Sequence, residues 1–368
     1  MTPRAVVLHS SRAPEFWRCH EGATVRSVAQ AIARYKGAEF QGVYDPAGRG
    51  TEIPFFVPDD TLMKADADRL GIRSPRDLFG GVVPYAFVKT KIVSHALVAP
   101  TAARPDGWAS DFARRIRGVV LPGYSAFARG DAREAARRLL RRGAVRAKLP
   151  RSAGARDQRT LRTPAEVETF LDRLGDEELA EHGVLLELYL APVSTLSVGQ
   201  VSIDDVTITY HGRQWLDRDN AGRSVYGGSE LTCVRGGWEA VGRLALPPAV
   251  RQAIRQARAY DAATDAYAVV ASRRNYDVGQ GLDAAGRPYS GVFEASWRVG
   301  GASPAEVAAL RVLAESPSIQ LVRVATVEAY GEQAAPPPGA DVQFQGVDAQ
   351  AGPLVRYTVI HETRADAA

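Results

Sequence analysis

The sequence predicts an α/β protein built from several lobes, and three observations predict it. Short apolar runs of strand length recur along the chain and alternate with longer stretches whose apolar residues return every three to four positions. At 368 residues, 45% apolar and 24% charged, the chain is long enough to bury more than one hydrophobic core. Polar and Pro/Gly-containing stretches divide these elements into an expected N-terminal open-sheet α/β domain over 1–95, a small α+β lobe over 96–190 and a large lobe over 191–368 that ends in strands.

Residues 5–9 (AVVLH) read as a short buried strand and 25–35 as the helix that follows, with Val25, Val28, Ala29 and Ile32 on one face. Residues 40–44 and 54–57 read as further strands, with Asp45, Pro46 and Gly48 as turn residues between them. This order opens a small open-sheet domain. Beyond a polar stretch at 100–106, a helix is expected at 108–117, a strand at 118–121, a turn at Pro122-Gly123 and a helix with an arginine-rich outer face at 131–142. A solvated face explains those arginines better than a binding patch.

Residues 144–149 (AVRAKL) read as a strand, 150–163 as a polar loop, and 164–174 as a helix with Thr163 as N-cap and Pro164 in first position. An apolar strand follows at 183–190 (GVLLELYL). Residues 197–203 and 206–210 form an expected hairpin about Asp204-Asp205, and 212–228 reads as polar and turn-rich before a strand at 231–234. The remaining expectations are a helix at 248–261, paired strands at 277–280 and 289–295, a helix at 304–313, and strands at 322–327 and 354–360. The loop Pro336-Pro337-Pro338-Gly339 separates the last two.

No stretch approaches the ~18 to 20 consecutive apolar residues of a membrane helix, and the start is too short for a secretory signal. A cytoplasmic protein is expected, and only Cys19 and Cys233 are present, which excludes a disulfide framework. Cys19-His20 reads as a loop or buried thiol rather than a nucleophile with its base. The net charge of +4 is mild and the arginines are scattered, so nucleic-acid binding is not expected. Lys36, Lys64, Lys89, Lys91 and Lys148 are the only lysines among 46 basic residues. In so arginine-rich a chain, a retained lysine points to a place where a compact ammonium is wanted.

Lys148 stands at a strand end directly before PRSAGARDQ. A lysine fixed there pairs with phosphate oxygens, and a loop carrying Ser152, Ala153 and Gly154 offers backbone N–H groups and can close over a nucleotide. A surface strand and turn account for the same residues equally well. Glu187 interrupts the apolar strand GVLLELYL, where a carboxylate accepts from an adenine amino group beside the backbone near Leu188 and Leu190. The bland alternative is an exposed position on a half-buried strand. The most specific segment is 275–303, NYDVGQGLDAAGRPYSGVFEASWRVGGAS. In a hairpin, Asp277 and Glu294 project to one side, and two convergent carboxylates suit magnesium. Glu294 lies in the apolar context Val292-Phe293-Glu294-Ala295, where burial without a cation is costly. Arg298 and the Gly300-Gly301 turn add a positive partner, and Asp283 is a turn residue.

In this order, the lysine strand, the small-residue loop, the apolar strand with its Glu and then D…E-x-x-x-R-x-G-G resemble the ATP-grasp superfamily over roughly residues 80–310. The wording FWRCHEGAT, DLFGGVVPYAFVKTK, VLPGY and RRNYDVGQGLD resembles an uncharacterised bacterial family with an ATP-grasp-like core. The resemblance implies an ATP-grasp fold, in which the N-terminal open-sheet domain precedes two lobes enclosing the nucleotide. It places a lysine ahead of the first lobe, matched by Lys91 with Lys89 as second choice. It further implies that Lys91 and Lys148, with Ser152 and Gly154, hold ATP phosphates, and that Glu187 and Leu190 hold adenine. Asp277, Glu294 and Ser296 take the Mg2+ ligand positions, and Lys148, Arg298 and Arg274 are the implied catalytic cations. The chain departs from the pattern at Ser194-Thr195, where a ribose-binding Glu is common, at Ser296, where Asn is common, and in a loop with one glycine where several are usual.

Most of that superfamily activates a carboxylate as an acyl phosphate for attack by an amine or thiol. The resemblance thus implies an ATP- and Mg2+-dependent ligase acting on small molecules, with no nucleic-acid or membrane partner. A small-molecule kinase and a non-catalytic nucleotide binder are the alternatives. The absence of G-x-S-x-G and of a Ser/His/Asp or Cys/His set agrees, since this chemistry needs no side-chain nucleophile. The acceptor site is expected in 210–235, which carries His211, Arg213, Arg218, Arg223 and Tyr226, together with Arg273 and Arg274. Apolar alternation in the first domain and the tail is compatible with a homodimer.

Overall fold

The computed structural model describes residues 4–48, 52–150 and 158–366. Strands β1 (Val6–His9), β2 (Phe40–Val43) and β3 (Phe55–Pro58) form a parallel sheet in the order β2-β1-β3. The first parallel pair needs a crossover, supplied by α1 (His20–Lys36), which buries Val25, Val28, Ala29 and Ile32 as their spacing predicts. The helix starts earlier than the apolar spacing indicates because its first turn is capped. Cys19 Sγ accepts from Gly22 N–H at 3.5 Å, and Asp348, from the far end of the chain, accepts from His20 N–H at 2.8 Å. Cys19-His20 is thus a helix cap. Strands β4 (Leu62–Met63) and β5 (Gly81–Val83) flank α2 (Lys64–Leu70), and β5 pairs with β13 (Val270–Ala271), tying the N-terminal region to the large lobe.

After α3 (Ser110–Ile116), a four-stranded antiparallel sheet forms from β6 (Gly123–Ala126), β7 (Val145–Lys148), β8 (Gln158–Leu161) and β9 (Val184–Leu188), in the order β6-β9-β7-β8. The strand expected at 118–121 is displaced to β6. Residues 119–120 instead run beside the large lobe, where Val292 N–H donates to Val119 O at 2.8 Å. Strand β8 lies in the expected loop, recruited by pairing with β7. Helices α4 (Arg129–Leu140), α5 (Pro164–Leu171) and α6 (Asp176–His182) complete this unit. The last was not expected, although Asp176, Glu177 and Glu178 in its first turn suit a helix N-terminus.

The large unit is an eight-stranded antiparallel sheet. It comprises β10 (Val193–Ile203), β11 (Val206–Arg218), β12 (Ser224–Arg235), β14 (Arg273–Leu282), β15 (Pro288–Ser296), β16 (Leu321–Tyr330), β17 (Asp341–Asp348) and β18 (Gly352–Arg364). The order is β15-β14-β10-β11-β12-β16-β18-β17. The segment 212–228, expected to be turn-rich, is mostly two long strands. Its turn is confined to 219–223, where Asp219 Oδ1 accepts from the N–H groups of Ala221 and Arg223, both at 2.9 Å.

Helices α7 (Trp238–Gly242) and α8 (Pro248–Ala263) cover one face, where Tyr260 packs on Tyr276. Helix α9 (Ser303–Glu315) and α1 cover the other, with Ile32, Leu231, Leu310 and Val322 in one core. Among the described residues no helix is long and apolar enough to cross a membrane.

Within the second face Arg273 donates through Nε and Nη2 to both oxygens of Glu306, at 2.9 and 2.8 Å, with both side chains buried. Removing one partner strands the other charge out of water. Glu306→Ala is therefore expected to lower the unfolding free energy by about 3–5 kcal/mol. A urea transition at the wild-type midpoint would show that α9 does not depend on the pair.

Candidate functional site

Alternation along β14 sends Arg273, Asn275 and Asp277 to the α9 face and Arg274, Tyr276 and Val278 to the α8 face. The antiparallel register sets Asp277 directly opposite Glu294 and Asn275 opposite Ser296, so these four residues share one face. A bulge at Asp277/Val278 leaves Phe293 as the extra residue, and its ring lies against Gly279, where a Cβ would meet ring carbons at 1.9 Å.

Three neighbours orient Asp277 through Oδ1: the Gln214 amide at 2.6 Å, the Asn275 amide at 3.0 Å and the Ser197 hydroxyl at 3.2 Å. No hydrogen-bond donor among the described residues holds Oδ2. Burial and then the Glu294 charge push the Asp277 carboxyl up to about 6, against these hydrogen bonds. An all-oxygen pair of carboxylates is the donor chemistry that suits magnesium. Among the described residues no cluster of three His, Cys, Asp or Glu offers a fuller metal site. Ser296, the third expected ligand position, accepts through its hydroxyl from Arg273 Nη1 at 3.3 Å.

Lys91 begins the short turn Lys91–Ser94 and reaches Glu294 Oε2 at 3.3 Å while only 3% exposed. Lys89, the second choice, pairs instead with Asp60 at 2.7 Å. Lys148 is buried at the end of β7, ion-paired with Glu187 Oε1, and its ammonium lies 4.5 Å from the centroid of the Phe293 ring. It joins the four-stranded sheet to the hairpin of β14 and β15.

Glu187 is not an open acceptor for a base. Lys148 faces Oε1, and His95 Nε2 lies 3.3 Å from Oε2. Burial works to raise its carboxyl, but the Lys148 ammonium and His95 outweigh burial and hold it below the usual carboxylate range. His95 gets this close because residue 123 is glycine, where a Cβ would meet its ring at 2.8 Å. Leu190 is buried beside Leu121 and Leu188, with Tyr289 and Phe293 packed against them, so both lobes contribute to one small apolar wall. Ser152 and Gly154 lie outside the described residues.

The expected arginines separate. Arg298 sits on the connection to α9, half-buried, its Nη1 donating to Val299 O at 3.0 Å. Arg274 is on the opposite face from Asp277 and pairs with Asp261 of α8 at 3.1 Å, so the sheet divides it from the carboxylates. Arg273 is a buried strut, and Arg223 closes the 219–223 turn onto Asp219 at 2.8 Å. His211 also lies on the α8 face, held down to about 4 by burial. Tyr226 stands near the Arg298 connection, its ring where a Cβ on Gly301 would fall. Sequence reasoning missed Gln214, Ser197, Asn275, His95 and Phe293. Asn275 and Phe293 lay inside the segment already singled out; the others are brought in by pairing between distant strands.

The raised Asp277 carboxyl has a pH signature. Between about 4, the unfolded range, and about 6 the folded protein holds a proton that the unfolded chain has released, so stability falls as pH rises through this window. Asp277→Asn is expected to remove that part of the pH–stability profile, read from urea midpoints at pH 4 to 7. A profile unchanged by the substitution would place the titration elsewhere.

The chain is similar to the N5-carboxyaminoimidazole synthetase of Staphylococcus aureus complexed with ADP, at 10% identity and a TM-score of 0.54, over 100% of this chain and 94% of that one. It is similar to the biotin carboxylase domain of Hydrogenobacter thermophilus 2-oxoglutarate carboxylase, at 11% identity and a TM-score of 0.52, over 97% and 86%. The phosphoribosylamine–glycine ligase of Thermotoga maritima matches at 15% identity and a TM-score of 0.50, over 99% and 93%. These are ATP-grasp enzymes, and the chain has the ATP-grasp fold. No curated protein matches it in sequence. The sequence match to a described family spans residues 6–358, which takes in every element of the site, and the chain belongs to that family, Protein of unknown function (DUF3182).

Proposed function

We propose that the protein is a cytoplasmic, magnesium-dependent ATP-grasp ligase that joins a carboxylate to an amine or thiol. The observation that carries this reading is the convergence of two buried lysines from one side of the fold, Lys91 and Lys148, on the hairpin that presents Asp277 and Glu294. In this reading 1–95 is the N-terminal domain, and the lobes 96–190 and 191–368 enclose the nucleotide. Structures of similar fold are complexed with ADP, which supports a nucleotide site here.

Bound magnesium neutralises phosphate charge. Asp277 and Glu294 would hold it, while Lys91 and Lys148, which Glu294 and Glu187 now counterbalance, would neutralise phosphate oxygens. Leu190, with the apolar wall around it, borders the base. Glu187 positions Lys148 rather than reading adenine directly. Arg298, on the α9 side, faces the acceptor. Arg274 takes no part. A substrate carboxylate oxygen attacks the γ-phosphorus, and ADP leaves with the electron pair of the broken bond. An amine or thiol then attacks the acyl carbon, phosphate leaves, and the nucleophile loses its proton. The chain's share is positioning and charge neutralisation, which is where catalysis of phosphoryl transfer resides.

Calorimetric titration of magnesium-ATP tests the site, with Lys148→Ala and Glu294→Ala alongside and ADP release assayed on the same samples. Binding is expected in the wild type and at least tenfold weaker in both variants. ADP release that requires a carboxylate and an amine or thiol supports the ligase. ADP with a stable phosphorylated product and no amine assigns a kinase, and binding without turnover assigns a regulator. Wild-type protein that is folded but does not bind magnesium-ATP overturns the reading.

A further inference from the structure

The bulge in the β14–β15 hairpin has a consequence for Lys148. In an unbroken strand Phe293 would alternate with its neighbours and turn its ring away from the face that carries Asp277 and Glu294. The register instead sets Glu294 opposite Asp277 and Val292 opposite Val278, so Phe293 is the unpaired residue, and such bulges re-aim a side chain. Its ring rests over Gly279, two residues beyond Asp277 and on the same face. The atoms nearest to a Cβ at 279 would all be carbons of this ring, at 1.9, 1.9 and 2.6 Å, so the seat exists because residue 279 has no side chain.

The ring then meets a residue of the other sheet. Lys148 Nζ lies over it, 4.5 Å from the centroid, and is also ion-paired with Glu187. Lys148 is buried, and a cation over an aromatic face is attracted more strongly where water is excluded. The two attractions tie the ammonium to different places. Glu187 lies on the strand beside β7, so it holds Lys148 within its own sheet. Phe293 holds it to the hairpin that carries Asp277 and Glu294. They differ in charge as well. Glu187 neutralises the ammonium, whereas a ring carries no net charge and leaves the cation's charge free to act on a phosphate.

We propose that Phe293 is the positioning residue of Lys148: its aromatic face holds the ammonium at the hairpin and keeps hold of it while a nucleotide phosphate takes the place of Glu187. The phosphate part of this proposal rests on the nucleotide reading above. The ring also packs against Leu121, Leu188 and Leu190, so its bulk and its π face have to be tested apart.

Fluorination separates them, because fluorine drains negative charge from the ring face with little change of shape. Full-length protein carrying phenylalanine, difluorophenylalanine or pentafluorophenylalanine at 293 is titrated with magnesium-ATP, with Lys148 intact and in a Lys148→Met background. With Lys148 intact, affinity is expected to fall with each step of fluorination, by about three- to thirtyfold in all. In Lys148→Met it is expected not to respond. An affinity indifferent to fluorine, or an equal fall in both backgrounds, overturns the proposal. The contact itself is read without nucleotide. The chain has five lysines, so side-chain labelling of lysine gives few NMR signals, and Lys148→Met identifies that of Lys148. The ring current is expected to move the Lys148 signal upfield in the wild type and not in Phe293→Leu, and the shift is expected to persist when magnesium-ATP is bound. A signal unshifted in the wild type, or a shift lost on binding, overturns the proposal. A shifted signal in folded protein that does not bind magnesium-ATP defeats the nucleotide reading and the phosphate role with it, and leaves the contact established.

Discussion

The Arg273–Glu306 pair is the constraint on which the site depends. It ties β14 to α9 through two charge-assisted hydrogen bonds between buried side chains. The same guanidinium donates to Ser296 O at 3.3 Å and to Arg298 O at 2.6 Å, so the end of β15 and the connection carrying Arg298 are referred to one rigid group. Glu306 in turn fixes Tyr210, and Tyr210 fixes Asn275. Desolvating both ions is costly, and an apolar pair of the same volume would fill this space at less expense. What an apolar pair would not supply is direction. Through Glu306, Tyr210 and Asn275 a continuous run of hydrogen bonds connects the pair to Asp277.

Around that frame, the described structure holds its reactive charges in compensated pairs. Lys91 is set against Glu294 and Lys148 against Glu187. Neither lysine can be left buried without a counter-charge. In the proposed reading an incoming phosphate therefore exchanges with a carboxylate, and the Glu294 carboxylate so released turns to the cation. Nucleotide and metal thus enter together for electrostatic reasons, because either alone leaves a buried charge unmatched.

Much of the fold was legible because its elements are long or strongly periodic. The apolar spacing of α1, the GVLLELYL strand and the proline-led α5 and α9 all lie where their residues indicate. The hairpin that opposes Asp277 and Glu294 was legible for a related reason, since glycine- and aspartate-rich turn chemistry separates two alternating runs. What was not legible lies where pairing overrides composition. Residues 212–218 and 224–228 are polar and glycine-rich, yet they are strands because they pair with each other across the 219–223 turn, with Gly212 and Arg213 also paired to β10 and Gly228 to β16. The burial of Glu187 is of the same kind. On its strand it resembles an exposed alternate, and only His95 and Lys148, from other parts of the chain, make its burial tolerable. Arg274 shows the converse: it and its neighbour Arg273 look equivalent in sequence, and a one-residue step in a strand puts them on different faces.

The lysines bring the two kinds of evidence together. In a chain that uses arginine almost everywhere, the argument from a compact ammonium singles out five positions, and the structure divides them by physical setting. Lys64 is exposed beside Asp68, and Lys36 lies over Phe55 against Asp204, so neither needs a ligand to explain it. Lys91 and Lys148 differ in that their carboxylate partners belong to the hairpin or the adjoining sheet, whereas Lys36, though its side chain is also buried, meets Asp204 at an exposed turn. An ammonium is smaller and its three donors rotate, so in the proposed reading it passes from carboxylate to phosphate without repacking its neighbours. The retained lysines are therefore informative in combination with burial and a facing carboxylate, and uninformative as a residue type alone.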